Sequence, residues 1–139
     1  MVGVVGDVNS TAACAMATAK SYVLPAGHTP KLVHVEAGLR SGDRRMPEET
    51  NRIVTDVLSD LLFTTEEIGN ENLAKEGVPS GRVHFVGNVM VDNLLSMVES
   101  LPTLGQACAA AGLEPSALVS GRFIVATLHR PSNVDDVEN

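Results

Sequence analysis

Leu32-Val33-His34-Val35-Glu36-Ala37-Gly38-Leu39-Arg40, then Pro47-Glu48-Glu49-Thr50-Asn51-Arg52-Ile53-Val54-Thr55-Asp56-Val57-Leu58, then Leu61-Leu62-Phe63-Thr64 reads as strand, helix, strand. The two outer runs are apolar without a regular polar alternation, as parallel strands covered by helices are. The middle run has Pro47 at its first helical position and two glutamates in its first turn, where they oppose the positive end of the helix dipole. A helix bridging two such strands is a βαβ unit, so the chain reads as α/β.

Outward from this unit the rhythm continues. Further strands are expected over residues 2–6, 83–86 and 123–128, beside those at 32–36 and 61–64. Helices are expected over 10–20, 48–59, 66–76 and 90–101. Thr64 with Glu67 three residues on has the spacing of a capping box, and Gly77 that of a helix stop. Gly87-Asn88 reads as a tight strand-to-helix turn. The expected architecture is a doubly wound, Rossmann-like parallel sheet with right-handed crossovers. Residues 102–121, with Pro102, Gly105, an Ala-rich run and Pro115, read as a connector containing a short helix. Residues 1–101 would then belong to one domain and 122–139 would open a second; a single long crossover within one sheet fits the connector as well. Met1 falls inside the first strand and Asn139 inside a nascent helix, so the chain is expected to be a fragment of a larger two-domain protein.

Composition narrows the classes of function. The 139 residues are 44 % hydrophobic, 19 % charged and 3 % aromatic, so the core must rest on aliphatic side chains. A net charge of −7 gives no overall attraction to nucleic acid or an anionic membrane, and neither is expected as a partner. Cys14 and Cys108 lie in Ala-rich helical runs and read as reduced, buried thiols rather than a disulfide, with no metal-ligand spacing around them. No apolar run approaches the ~20 residues that span a bilayer, and no secretory leader is evident, so a cytoplasmic protein is expected.

Ligands of open parallel sheets bind beyond the carboxyl ends of the strands. Five strand ends here carry polar residues: Asp7, Glu36, Thr64-Thr65, Asn88 and His129-Arg130. Singly, each is ordinary turn chemistry; together, with two carboxylates and a histidine, they suggest an active site. Gly6-Asp7-Val8-Asn9-Ser10-Thr11 could cradle a phosphate at a helix start, yet it lacks the spacing of either nucleotide-binding glycine motif. With equal weight, Asn9 or Ser10 is the helix N-cap. Glu36 ends an otherwise apolar run, where a carboxylate is either a useful acid/base or an ion-pair partner of Arg40 or Arg52. Glu49 fits a first-turn helix residue best. His34 shares the side of Glu36 but reads as a satisfied core residue, and His28 and His84 as packing or surface residues. His129, before Arg130-Pro131, is the better functional histidine. Arg40, Arg44 and Arg45 lie on the Gly-containing loop between Glu36 and Glu48, where anions could bind.

With these residues in view, the chain resembles the bacterial non-hydrolysing UDP-N-acetylglucosamine 2-epimerases. The resemblance rests on Gly6-Asp7 with Asn9-Ser10-Thr11, His34-Val35-Glu36-Ala37-Gly38-Leu39-Arg40-Ser41, Met46-Pro47-Glu48-Glu49-x-Asn51-Arg52, Phe85-Val86-Gly87-Asn88 and Leu128-His129-Arg130-Pro131. It implies a GT-B architecture of two Rossmann-like domains, with residues 1–101 the second half of the first domain, 102–121 a connector and 122–139 the start of the second. The implied reaction interconverts UDP-N-acetylglucosamine and UDP-N-acetylmannosamine by elimination of UDP and its re-addition, with no cofactor and no obligatory metal. By position, Asp7, Glu36, Glu48 and His129 are the implied catalytic residues, and Arg40 and Arg130 the implied contacts to substrate. The family also implies a homodimer at full length and UDP-N-acetylglucosamine as an activator at a second site. A hydrolysing epimerase and a non-catalytic UDP-sugar-binding fragment are the alternatives.

Overall fold

A computed structural model describes residues 1–21, 30–113, 124–127 and 134. The chain divides into two compact units, Met1–Ser96 and Met97–Asn139.

The first unit contains a four-stranded parallel sheet. Its strands are β1 (Val2–Val5), β2 (Leu32–Val35), β3 (Leu61–Thr64) and β4 (Val83–Phe85), and the helices between them are α1 (Asn9–Ala19), α2 (Pro47–Leu58) and α3 (Glu67–Lys75). The strands pair in the order β1-β2-β3-β4, with Val4 opposite His34, His34 opposite Leu62 and Leu62 opposite Val83. These runs are β-branched, leucine-rich and short, the composition that favours a pleated, packed surface. The order never reverses among the described strands. Right-handed crossovers taken always in one direction deliver the helices between these four strands to the same face. One face carries the buried Val4, Leu32, His34, Leu62 and Thr64, while the other leaves Val5 and His84 exposed and Val35 and Phe63 half-buried.

Two small clusters make the core. Val4, Ala15 and Leu32 pack with Val2 and Leu58, and Ala37, Leu62 and Leu73 pack with Val78 and Val83. Alpha-helix α1 buries Thr11, Ala15 and Thr18, and that stripe turns Cys14 to the exposed shoulder. Cys108 alone is the buried thiol of the expected pair.

Several helix ends follow the sequence and several do not. Pro47 opens α2 with Glu48 and Glu49 in its first turn. Gly77, at φ +81°, closes α3: its own N–H reaches the Ala74 carbonyl while the Val78 N–H reaches that of Leu73. This is a Schellman end, with Val78 packed on the core beside Leu73. Gly87, also at positive φ, turns the chain into α4 (Val89–Met97), where Asn88 Oδ1 accepts from the Met90 N–H at 2.9 Å. The Thr64–Glu67 capping box does not form. Thr64 is still the last strand residue, Glu66 is the N-cap, and the Thr64 hydroxyl donates to Asn70 Oδ1 at 2.5 Å. Neither Asn9 nor Ser10 caps α1, because the helix already starts at Asn9 behind Val8.

Helix α4 closes the first unit, and the second unit holds a 3-10 turn (Val98–Ser100) followed by α5 (Leu104–Ala110). Thr103 and Gln106 form a capping box there, the short connector helix expected from sequence. The fifth strand is not seen: residues 124–127 carry no strand and are exposed, with Ile124 94 % accessible, while Phe123 and Leu128 lie outside the described residues.

Candidate active site at the carboxyl rim of the sheet

The rim is an extension of the ladder. Just past the strands, Gly6 N–H donates to Val35 O at 3.0 Å, Ala37 N–H to Phe63 O at 3.0 Å and Val86 N–H to Thr64 O at 2.9 Å. Residues at strand ends are thereby fixed by the sheet before any side chain contributes.

Glu36 sits at this rim with φ +71°, the only left-handed non-glycine among the described residues. An L side chain in that region is strained, by about 1–2 kcal/mol. Its carboxylate lies over Gly6, so closely that a Cβ built on Gly6 would stand 3.2 Å from Glu36 Oε2. The ion-pair alternative for Glu36 is not realised. Arg40 pairs with Asp56 at 2.8 Å and Glu76 at 2.7 Å, and Arg52 pairs with Asp7 and, at 3.7 Å, with Glu49. Glu36 makes no hydrogen bond or ion pair among the described residues, and neither does half-buried Glu48 in the first turn of α2.

Asp7 is held rather than free. Arg52 reaches its carboxylate, and Asn51 Nδ2 donates to the Asp7 carbonyl at 2.8 Å and to Asn9 Oδ1 at 3.0 Å. Consecutive residues of α2 thus fix the Gly6–Asn9 turn. Glu49, one position from Glu48, does different work. It is 3 % exposed and accepts from Ser41 N–H at 2.8 Å, Ser41 Oγ at 3.0 Å and Gly42 N–H at 3.1 Å. Desolvation pushes its pKa up, but those hydrogen bonds and the Arg40 charge outweigh it and hold Glu49 below the ordinary carboxylate range.

Arg40, expected to contact substrate, places its guanidinium on Asp56, on both oxygens of Glu76 and on the Leu39 carbonyl. Burial alone would lower its pKa; the bonds to Glu76 and Asp56 and their charges raise it instead. Arg45 pairs with Asp43 at the exposed loop. Thr64 is fully buried and Asn88 is a turn acceptor, so these two rim residues serve the fold. His129 and Arg130 lie outside the described residues.

The sequence reading passed over Asp56. It is fully buried and accepts from His34 Nδ1 at 2.6 Å, Gly38 N–H at 3.0 Å and Arg40. His34, also fully buried, spans from Asp56 to the Gly6 carbonyl, 2.9 Å from its Nε2. A signal existed: Glu49 and Asp56 are seven residues apart, hence on one face of α2, and both are buried. On the rim, then, Glu36 and Glu48 have no polar partner among the described residues and Asp7 is fixed by a cation. Such a set can take up and deliver protons while a neighbouring arginine steadies negative charge.

Comparison with known proteins points to one family. The model of the family described as UDP-N-acetylglucosamine 2-epimerase matches residues 1–139. A UDP-N-acetylglucosamine 2-epimerase homolog of Methanococcus maripaludis is 42 % identical over 139 residues, covering 100 % of this chain and 36 % of the relative. The UDP-2,3-diacetamido-2,3-dideoxy-D-glucuronate 2-epimerase of Pseudomonas aeruginosa is 42 % identical over 135 residues, covering 96 % of this chain and 33 % of its own. The structure of the Methanocaldococcus jannaschii UDP-GlcNAc 2-epimerase in complex with UDP-GlcNAc and UDP superposes with a TM-score of 0.66 at 38 % identity, over 79 % of this chain and 29 % of that one. The chain spans about a third of the length of the curated relatives it matches. With every residue inside the family model, the chain belongs to the UDP-N-acetylglucosamine 2-epimerase family.

Proposed function

We propose that the chain works as part of a longer enzyme that interconverts UDP-N-acetylglucosamine and UDP-N-acetylmannosamine. The observation that carries this reading is Glu36, an unpaired carboxylate held in a strained backbone conformation at a strand's carboxyl end. Strained residues cluster at functional sites, so a left-handed carboxylate at this rim position supports the reading. In the proposed reaction a carboxylate takes the C2 proton. The C1–O bond breaks with its electron pair leaving on UDP, and a C1=C2 double bond forms. A proton is then delivered to the opposite face of C2 and UDP adds back at C1.

No carbonyl activates that proton, so charge at C1 and on the departing diphosphate must be stabilised by groups already in place. Carboxylates suit the cationic carbon and both proton transfers, as in glycosidases. We assign these tasks to Asp7, Glu36, Glu48 and His129. Arg130 and Arg40 are proposed for the diphosphate, and Arg40 would have to exchange Glu76 for phosphate to reach it. Residues 1–101 are read as the second half of an N-terminal domain, 102–121 as a connector and 122–139 as the start of a C-terminal one. Homodimerisation and activation by UDP-N-acetylglucosamine belong to the same proposal.

In the complete enzyme, NMR in heavy water should show UDP-N-acetylmannosamine appearing with deuterium at C2. E36Q should lower kcat by about 100-fold or more, the scale of a lost general acid or base. Unchanged turnover by E36Q would remove Glu36 from catalysis, and free N-acetylmannosamine as the sole product would make the enzyme a hydrolase. The diacetamido-glucuronate sugar nucleotide should be assayed beside it, given the 42 % identity to an epimerase of that name.

A further inference from the structure

We propose that His34 and Asp56 form a positioning pair that holds the two catalytic turns of the rim in register, an inference that rests on the catalytic reading of Glu36 and Asp7. Asp56 stands between the turns. Through Oδ2 it accepts the Gly38 N–H at 3.0 Å and faces Arg40 at 2.8 Å, fixing the Glu36–Arg40 turn just after its left-handed residue. Through Oδ1 it meets His34 Nδ1 at 2.6 Å, and the far side of that ring meets the Gly6 carbonyl at 2.9 Å, next to Asp7. The imidazole is thus a rigid strut between a helix and the turn after β1.

The proton count fits a strut. Both partners of the ring are acceptors, a carboxylate and a carbonyl, so two protons must be shared between His34 and Asp56 for both contacts to form. His34 and Asp56 are both fully buried, and a half-made network there would cost more than none. Gly6 accepts the ring on its carbonyl, donates its N–H to Val35 and receives the Glu36 carboxylate on its open Cα face. The placement of Glu36 against the Asp7 turn therefore passes through Gly6, and Gly6 is held by His34. Neither His34 nor Asp56 is assigned contact with substrate; both act through Glu36 and Asp7.

The test is a set of three variants of the complete enzyme, read as kcat and KM for UDP-N-acetylglucosamine well below the unfolding temperature. In H34Q the side-chain amide can satisfy Gly6 or Asp56 but must set oxygen against oxygen at the other, and kcat should fall about 100-fold with KM little changed, as for an ångström-scale misplacement of reacting groups. D56N keeps an acceptor for Gly38 and Arg40 and offers a donor to His34, whose other nitrogen still donates to Gly6. It should stay within about fivefold of the parent kcat. H34Q/D56N restores donor-to-acceptor order along the whole strut and should recover at least about tenfold over H34Q.

H34Q with parental kcat, or a double variant no better than H34Q, would overturn the proposal. So would a loss confined to KM. An activity-independent readout separates this from the function itself. The Gly38 amide and a His34 ring N–H should exchange slowly with solvent in the parent. In H34Q a His34 ring proton no longer exists, and the Gly6–Asp7 amides should exchange faster. If the parent does not turn over UDP-N-acetylglucosamine yet shows this protection, the substrate reading fails and the strut stands; rapid exchange of Gly38 in the parent removes the strut.

Discussion

Glu49 accepts two backbone amides and a hydroxyl, a load that an ionised carboxylate carries in full and a neutral group does not. Its native pKa is lowered, so the stability it contributes is complete above the unfolded-state pKa and is lost as pH falls through the native one. E49Q should therefore cost about 1–3 kcal/mol at neutral pH, read by urea unfolding. The gap to the parent should close below about pH 4, and one that persists undiminished in acid would show that charge is not its source. From sequence, the place of Glu49 in the first turn of a helix was readable. The Ser41 and Gly42 amides it holds were not, because only the folded loop brings them back to that turn. The same limit hid Asp56, a single acid on a helix whose partners lie on another strand and another loop.

Elements meet closely where β2 ends and α3 begins. Gly38, at φ +80°, lies against the backbone of Gly69, and a Cβ on Gly38 would stand 2.4 Å from the Gly69 carbonyl oxygen. G38A should thus lose about 2–4 kcal/mol in a denaturant titration, from overpacking against backbone added to a left-handed alanine. G42A is the internal comparison: its φ is +73° but nothing lies within 4 Å, so about 1 kcal/mol is expected. A G38A loss no larger than that of G42A would deny the close approach any role. Strand and helix identities up to α4 could be read from apolar runs, Pro47 and Gly77, since these act locally. Residues 124–127 show the opposite case: this part of an apolar run carries no strand and lies exposed, since such a run alone does not make a strand without a neighbour to pair with.

At the scale of the whole chain, the described rim supplies Asp7, Glu36 and Glu48, while most of the length of the relatives has no counterpart here. The 139 residues by themselves should show no measurable turnover of UDP-N-acetylglucosamine when followed by NMR. Substantial turnover would mean that one rim is a sufficient active site. The parallel sheet and the residues at its carboxyl end were legible because strand ends, not partners, place those carboxylates. The strand order was not, since it is a property of pairing that apolar runs do not encode. That order has a consequence for how the chain reaches its fold. Each described strand after β1 pairs with the one synthesised just before it. From β2 to β4 a pairing partner is therefore already made when each new strand emerges, and this part of the sheet can lengthen in step with translation.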